Sequence, residues 1–210
     1  MARGKLITFE GIDGSGKTTQ IKFLADYLRS LGFDVLLLRE PGGTRIGEEI
    51  RHVLLDMRSG EMTSETELFL FEAARAQLVR EVIRPALEKG SWVISDRFHD
   101  SSVAYQGYGR GLPIELVRAL NDMAIGETVP DLTILLELGP ETRAVRLGKR
   151  HGSGLGDRID LETERFKERV CQGFRAIAQA EPERVVRIES LDEKEKTAEL
   201  IRHEVRRYLL

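Results

Sequence analysis

The sequence has only one cysteine, Cys171, among its 210 residues, so no intrachain disulfide bond can form. This cysteine usage is typical of proteins in the reducing cytosol. No apolar run approaches the length of a membrane span, and the N-terminus leads directly into a short apolar run without a signal-type segment. The formal net charge of −3 gives no overall attraction to nucleic acid or to anionic membranes. We therefore expect a cytoplasmic protein that binds neither nucleic acid nor membrane.

The sequence also lacks internal repeats, low-complexity linkers and breaks in composition, so we expect a single domain over residues 1–210. Short apolar runs alternate with longer segments of helical period, which is the pattern of an α/β fold. The five predicted strands are Lys5–Glu10, Asp34–Arg39, Ser91–Ser95, Leu132–Leu138 and Arg184–Glu189. Most of these runs are continuously apolar, which indicates a doubly wound, five-stranded parallel sheet flanked by helices on both faces.

Seven helices are predicted between and after these strands. Their ranges are Lys17–Leu31, Ile46–Asp56, Ser64–Lys89, Ile114–Ile125, Pro140–Lys149, Leu161–Ala180 and Glu193–Tyr208. Ser64 and Glu67 have the spacing of a capping box at the start of the third helix. Pro85 lacks an amide hydrogen and is expected to bend or interrupt that helix.

A phosphate-binding motif follows the first predicted strand. The run GIDGSGKT from Gly11 to Thr18 fits G-x-x-x-x-G-K-[ST], and it stands between a strand and a helix as a P-loop requires; the plain alternative is a glycine-rich turn. Backbone N–H groups of such a loop surround phosphate oxygens, the lysine reaches the β- and γ-phosphates, and the hydroxyl ligates Mg²⁺. The residues predicted to bind the donor nucleotide are Gly11, Ile12, Asp13, Gly14, Ser15, Gly16, Lys17, Thr18 and Thr19.

Polar residues follow the other predicted strands, at the sheet edge where such folds bind ligands. Asp96 ends the run Trp92-Val93-Ile94-Ser95, the position of the acidic Mg²⁺ partner in P-loop folds, although a strand-terminal aspartate also serves as a turn residue. Arg97, the next residue, is either a solvated surface arginine or a bidentate clamp on an acceptor phosphate. We predict metal ligation by Thr18 and Asp96, and phosphate binding by Arg97.

The segment of about residues 143–158 combines arginine with glycine. It contains Arg143, Arg146, Arg150 and Arg158, and its second half is too rich in glycine to hold a helix. A basic segment of this kind beside a phosphate site is typical of a lid that closes and brings arginine to the transferring phosphoryl group. A solvated helix face is the alternative for its first half.

These features favour phosphoryl transfer to a small acceptor. A GTP-driven switch protein is the competing class, but the N-K-x-D element that reads guanine is absent from the sequence. A nucleic-acid-handling ATPase is a third class, and the sequence lacks the basic face that it needs.

Longer motifs resemble the bacterial thymidylate kinase family. They are the P-loop run from Phe9 to Thr19, the REPGGT element from Arg39 to Thr44, the FEAAR run from Phe71 to Arg75, and the run from Asp96 to Gly107 with its AYQG element. The resemblance covers nearly the whole chain in the same order. It implies that dTMP is converted to dTDP with ATP and Mg²⁺, by a homodimer built on a five-stranded parallel sheet with a lid. Another deoxynucleoside monophosphate kinase is the alternative.

The resemblance also implies an acceptor site for dTMP. Arg39, Arg51 and Arg97 would hold its phosphate, and Phe71 would stack on thymine unless it is simply a core residue. Arg75 would donate to a thymine carbonyl, the alternative being a surface ion pair with Glu72 or Glu81. The other residues placed at the acceptor are Ser102 and Gln106 near the base, Tyr105 under the deoxyribose, and Asp13.

The resemblance finally implies where the catalytic charges come from. Gly14 stands where the eukaryotic branch of the family carries a P-loop arginine, so the lid would supply that charge here. Asp157-Arg158-Ile159-Asp160 fits the family's D-R-hydrophobic-acid element. Either Arg150 or Arg158 would then meet the transition state, together with Asp13, Lys17 and Arg97.

Overall fold

The structure, a computed structural model, describes residues 3–138, 158–159 and 161–210. Its strands are β1 Leu6–Glu10, β2 Val35–Arg39, β3 Trp92–Asp96, β4 Leu132–Leu138 and β5 Val185–Ser190. They form one sheet in the order β2-β3-β1-β4-β5, and every neighbouring pair is parallel. The predicted fold class is confirmed, and each strand begins or ends within one residue of its prediction.

Helices cover both faces of the sheet. Those in the described residues are α1 Lys17–Ser30, α2 Arg45–Leu55, α3 Ser64–Leu78, α4 Arg84–Glu88, α5 His99–Ser102, α6 Ile114–Ile125, α7 Glu164–Ala180 and α8 Lys194–Leu209, with π-helical segments at Val79–Ile83 and Val103–Gly109. The predicted helix Pro140–Lys149 lies outside the described residues. No helix among the described residues is long and apolar enough to cross a membrane.

The apolar side chains of β1 point alternately to two layers of the core. Ile7 and Phe9 pack in the layer with α1 and α8, while Leu6 packs with α3 and the segment that follows it. The side chains of all five β1 residues are completely buried. A strand covered on both faces needs a continuously apolar sequence, which explains why the run was recognisable.

The third predicted helix begins at Ser64 as predicted and its last segment ends at Glu88, one residue before the predicted end, but its capping residue differs. Thr63, not Ser64, caps α3, because its Oγ1 accepts a hydrogen bond from the backbone N–H of Thr66 at 3.3 Å. The capping-box prediction is therefore wrong, and Glu67 points into the interior instead. The predicted interruption at Pro85 is confirmed: the π-helical turn Val79–Ile83 falls just before it, where proline has no N–H for the carbonyl of the preceding turn.

The register of the sheet brings three strand ends together. Phe9 of β1 and Arg39 of β2 both pair with Asp96 of β3. The loops that follow these strands therefore leave the sheet side by side, at its carboxyl edge. This edge holds the site described next.

Candidate active site

A cavity of about 390 Å³ opens at this edge of the sheet. It is lined by fifteen of the residues that the sequence predicted for the site. They are Asp13, Gly14, Gly16, Lys17, Thr18, Thr19, Arg39, Arg51, Phe71, Arg75, Asp96, Arg97, Ser102, Tyr105 and Gln106. Gly11, Ile12, Ser15 and Arg158 do not line it, and Arg150 lies outside the described residues.

The loop from Gly11 to Gly16 has the backbone of a phosphate-binding nest. Gly11, Gly14 and Gly16 all have positive φ, and a Cβ on Gly11 would lie 2.3 Å from the carbonyl oxygen of Leu136. Only glycine fits at that point. Gly16 directly precedes α1, so the free N–H groups of the first helical turn face the cavity beside the loop.

Lys17 is folded back onto this loop. Its Nζ donates to the carbonyl oxygens of Gly11 at 3.0 Å and Ile12 at 3.3 Å, and it lies 4.0 Å from an oxygen of Asp13. Burial lowers the pKa of Lys17 to about 8. A buried ammonium whose partners are mainly neutral carbonyls is prepared to exchange them for anionic phosphate oxygens.

Two oxygen-bearing side chains at the cavity suit a small divalent cation. The hydroxyl of Thr18 and a carboxylate oxygen of Asp96 lie 3.4 Å apart, although the residues are 78 positions apart in sequence. Among the described residues, no group of three histidine, cysteine or acidic side chains can enclose a metal. A single carboxylate with a hydroxyl is the donor set of a cation that is also held by phosphates and water, as Mg²⁺ is.

Arg97 lines the cavity and has a strained backbone. Its φ of 71° lies in the left-handed region, and it is the only non-glycine with positive φ in the described part of the chain. Its Nη2 donates to both carboxylate oxygens of Asp13 at 3.2 Å and to the hydroxyl of Tyr105 at 3.1 Å. Its guanidinium also lies 5.0 Å from the centroid of the Tyr105 ring. Such strain persists where surrounding contacts impose it and is common at functional sites.

Glu10 imposes part of that conformation, and sequence reasoning did not single it out. It accepts hydrogen bonds from the backbone N–H of Phe98 at 2.8 Å and from the hydroxyl of Ser101 at 2.6 Å. That hydroxyl in turn accepts from Nη1 of Arg97 at 3.2 Å. Burial raises the pKa of Glu10 to about 8. The sequence did contain a signal for this role: an acidic residue at the end of a buried apolar strand, directly before the P-loop.

The turn after β2 holds two more arginines. Arg39 and Arg51 both donate to the carbonyl oxygen of Pro41, at 3.0 and 2.8 Å, and Arg39 also pairs with Glu48 at 2.9 Å. Gly42 has a φ of 131°, a backbone conformation that favours glycine at this turn. The structure thus brings Arg39, Arg51 and Arg97 to one cavity, as predicted for a phosphate.

Arg75 is not the surface residue of the alternative interpretation. It is 1% exposed, and all of its N–H groups are engaged. Its acceptors are Glu40, Glu72, the hydroxyl of Ser102, the side-chain oxygen of Asn121 and the carbonyl of Phe98. Burial raises the pKa of Glu40 to about 7, and the charge of Arg75 opposes that rise.

Phe71, Ser102, Tyr105, Gln106 and Ile159 also line the cavity. Phe71 is half-buried on α3, one helical turn before Arg75. An aromatic ring with neighbouring amide and hydroxyl groups is the composition of a site for a planar, polar-edged ligand.

Arg158, one of the two predicted lid candidates, is paired with α2 and α3. Its Nη2 donates to Glu67 at 2.6 Å and its Nε donates to the carbonyl oxygen of Leu54 at 3.1 Å. Its described partners belong to α2, α3 and the connection between them. To meet a transferring phosphoryl group, Arg158 would have to leave these partners.

The fold and the cavity together define a P-loop nucleotide-binding protein with a second, arginine-lined anion site. Residues 9–201 match the family model described as thymidylate kinase. The chain is 49% identical over 207 residues to the thymidylate kinase of Desulfovibrio desulfuricans, which covers 97% of this chain and 95% of that protein. It is 45% identical to the thymidylate kinase of Thermoanaerobacter sp. strain X514, over 99% of this chain and 100% of that one.

A solved structure agrees with these relatives. The crystal structure of thymidylate kinase from Ehrlichia chaffeensis superimposes with a TM-score of 0.78 at 34% identity, covering 97% of this chain and 99% of that one. The chain belongs to the thymidylate kinase family.

Proposed function

We propose that the protein transfers the γ-phosphoryl group of ATP to dTMP, giving dTDP and ADP. The observation that carries the proposal is one cavity with two anion sites: the P-loop, and beside it Arg39, Arg51 and Arg97. Two phosphorylated substrates repel each other, and cations placed between them offset that repulsion. The family supplies the identity of the acceptor.

The test is a panel of nucleoside monophosphates with ATP, followed by ADP release. We expect dTMP to be the preferred acceptor, dUMP to be weaker, and dCMP, dGMP and AMP to be poor. Equal or faster turnover of AMP or CMP would favour another monophosphate kinase activity. ATP turnover that needs no acceptor would contradict phosphoryl transfer altogether.

On the donor side, the nest from Gly11 to Thr19 binds the phosphates of ATP. Lys17 exchanges the carbonyls of Gly11 and Ile12 for β- and γ-phosphate oxygens, whose charge favours its protonated form. Thr18 and Asp96 hold Mg²⁺, and both line the cavity within 3.4 Å of each other. When bound, the ion neutralises charge on the β- and γ-phosphates.

On the acceptor side, Arg97 holds the phosphate of dTMP, and Arg39 and Arg51 contribute further charge. Asp13 orients Arg97 through the paired contacts at 3.2 Å, so the acceptor meets a guanidinium that is already positioned. Preorganised cations act on charge as it develops, without a reorganisation cost at the moment of transfer.

The base and sugar occupy the remainder of the cavity. Phe71 stacks on thymine, Arg75 and Gln106 face its polar edge, and Ser102 lies beside them. Tyr105 packs under the deoxyribose, where a 2′-hydroxyl would clash. The hydrogen bond between its hydroxyl and Arg97 supports this role, because it holds the ring beside the acceptor phosphate.

An arginine of the predicted lid supplies the remaining charge at the transition state. Arg150 and Arg158 remain the two candidates, and Arg158 can take this role only by exchanging Glu67 for the phosphoryl group. The P-loop offers no arginine of its own, since Gly14 occupies that position.

We further propose a cytoplasmic homodimer. Exposed apolar side chains on three helices support the dimer: Val53 on α2, Phe69 on α3, and Leu116 and Met123 on α6. Helix α3 packs against both α2 and α6, so these side chains belong to one layer of helices. Exposed apolar area of this kind is common where a second subunit docks. Light scattering coupled to gel filtration tests it.

A further inference from the structure

Glu67 is a buried acid that the proposed reaction does not use. It lies on α3, is 1% exposed, and accepts four hydrogen bonds. Arg110 donates to it twice, from Nε at 3.0 Å and from Nη2 at 2.9 Å. Nη2 of Arg158 donates at 2.6 Å, and the side-chain amide nitrogen of Gln106 donates at 2.8 Å. A buried carboxylate with this many donors has a defined orientation.

The two arginines keep Glu67 ionised. Burial alone would raise its pKa, but the hydrogen bonds from Arg110, Gln106 and Arg158 outweigh burial and hold the pKa below its ordinary value. Arg110 also pairs with Glu162, so two acids and two arginines balance one another in this cluster. An ionised carboxylate has no hydrogen to donate, so it can only accept.

The ionised Glu67 determines which way the side-chain amide of Gln106 is turned. An amide side chain presents NH₂ on one side and oxygen on the other, and an acceptor-only partner fixes which side it meets. The nitrogen of Gln106 therefore faces Glu67, and its oxygen accepts no hydrogen bond from any described residue. Since Gln106 lines the cavity, the group that it offers to a ligand there is an acceptor.

We propose that Glu67 is a positioning residue that fixes the carboxamide of Gln106 with its oxygen toward the base. An acceptor at this point matches pyrimidines that carry hydrogen on N3, such as thymine and uracil. Cytosine presents an unprotonated N3 there, and two acceptors repel each other. Glu67 thus selects the class of base without touching it. The inference rests on the proposed function, in which a pyrimidine monophosphate occupies the cavity.

The test compares kcat/KM for dTMP and dCMP at saturating ATP in wild type, Glu67→Gln and Glu67→Asp. Glutamine can donate as well as accept, so Glu67→Gln leaves Gln106 free to turn over. Aspartate keeps the charge that Arg110 and Arg158 require but shortens the reach to Gln106. We expect the dTMP-to-dCMP ratio to fall at least about 10-fold in Glu67→Gln, mainly through KM, because a charge-assisted hydrogen bond becomes a neutral one. A smaller fall is expected in Glu67→Asp.

Glu65→Gln is the matched control, because Glu65 is an exposed acid in the first turn of the same helix. Its ratio should equal that of wild type. A purely structural role of Glu67 would lower the melting temperature and the activity toward both substrates without changing their ratio. An unchanged ratio in folded Glu67→Gln and Glu67→Asp would overturn the proposal.

Gln106→Met gives an answer that does not depend on how well the Glu67 variants fold. It removes the amide but keeps its length, so the ratio should again fall at least about 10-fold. A wild-type ratio in Gln106→Met would equally overturn the proposal. A wild-type enzyme that does not phosphorylate dTMP would instead contradict the proposed function, so the two failures are distinguishable.

Discussion

Replacing Glu10 by glutamine tests how the end of β1 is coupled to the arginine in the cavity wall. Glu10 is completely buried and accepts hydrogen bonds from the N–H of Phe98 and the hydroxyl of Ser101. Burial, followed by repulsion from Asp100, raises its pKa from 4.5 to about 8, although Arg97 opposes the rise. The glutamine variant keeps the shape of the side chain and cannot ionise.

The sign of the effect follows from proton binding. Between about pH 4.5 and pH 8, the unfolded chain has lost the proton of Glu10 while the folded protein keeps it. The free energy of unfolding of the wild type therefore decreases as the pH rises through this range. At pH 7, which is about 2.5 units above the ordinary pKa of 4.5, the free energy of unfolding has fallen by about 3 kcal/mol, because each unit corresponds to about 1.4 kcal/mol. Glu10→Gln removes this contribution.

The assay is urea unfolding of both proteins at several pH values. The stability of Glu10→Gln relative to wild type should increase by about 3 kcal/mol between about pH 5 and about pH 8. Titrating groups that do not act on Glu10, Glu40 among them, are present in both proteins and cancel in the difference. Glu65→Gln, which changes an exposed acid, is the control variant. A constant difference for Glu10→Gln would refute the reasoning that burial controls this carboxyl group.

Three further predictions address the proposed reaction. Lys17→Ala should abolish phosphoryl transfer, because Lys17 binds the donor phosphates, while the dTMP affinity measured by calorimetry should be nearly unchanged. Loss of dTMP affinity would contradict the assignment of Lys17 to the donor site alone. Tyr105→Phe should keep the preference for deoxyribose, and Tyr105→Ala should reduce it. The preference is measured as the turnover ratio of dTMP to ribothymidine monophosphate. An unchanged ratio in Tyr105→Ala would show that Tyr105 does not have this role. Arg150→Ala or Arg158→Ala should lower kcat at least about 100-fold with little change in dTMP affinity. If both retain wild-type kcat, Arg97 is the next residue to test as the source of that charge.

The three central strands β1, β3 and β4 were predictable because a strand covered on both faces is mainly apolar, whereas the edge strands β2 and β5 are partly exposed. The segment after β3 was not predicted, although it forms α5 and the π-helical stretch Val103–Gly109. Its conformation depends on close packing against α7. A Cβ on Gly109 would lie 2.7 Å from Phe166, and one on Gly173 would lie 2.9 Å from Tyr108. No local periodicity encodes such contacts between residues about sixty positions apart.

The site was predictable where a residue follows a strand, and less so where a charge is buried. Strand ends converge at one edge of any parallel sheet, so Asp96 and Arg97 were expected at the P-loop. Glu10, Glu40 and Glu67 look like ordinary acids in the sequence, because their burial depends on partners far along the chain. Glu40, for example, is 35 positions from its partner Arg75.

The proposed function requires that Arg75, a fully bonded side chain, can still read a ligand. Nη1 has two hydrogens but three acceptors in range: Glu72 at 2.6 Å, Ser102 at 2.8 Å and Asn121 at 3.1 Å. One hydrogen of Nη1 is therefore shared between two acceptors, and the hydroxyl of Ser102 can turn to donate elsewhere. A base carbonyl can replace one of the two acceptors that share this hydrogen, and no N–H of Arg75 is then left unpaired. Binding therefore exchanges one hydrogen bond for another. The two carboxylates, Glu40 and Glu72, meanwhile keep the guanidinium in place. Because the charge is neutralised before the ligand arrives, in the proposed function Arg75 would contribute direction to base recognition, and net attraction would come from Arg39, Arg51 and Arg97.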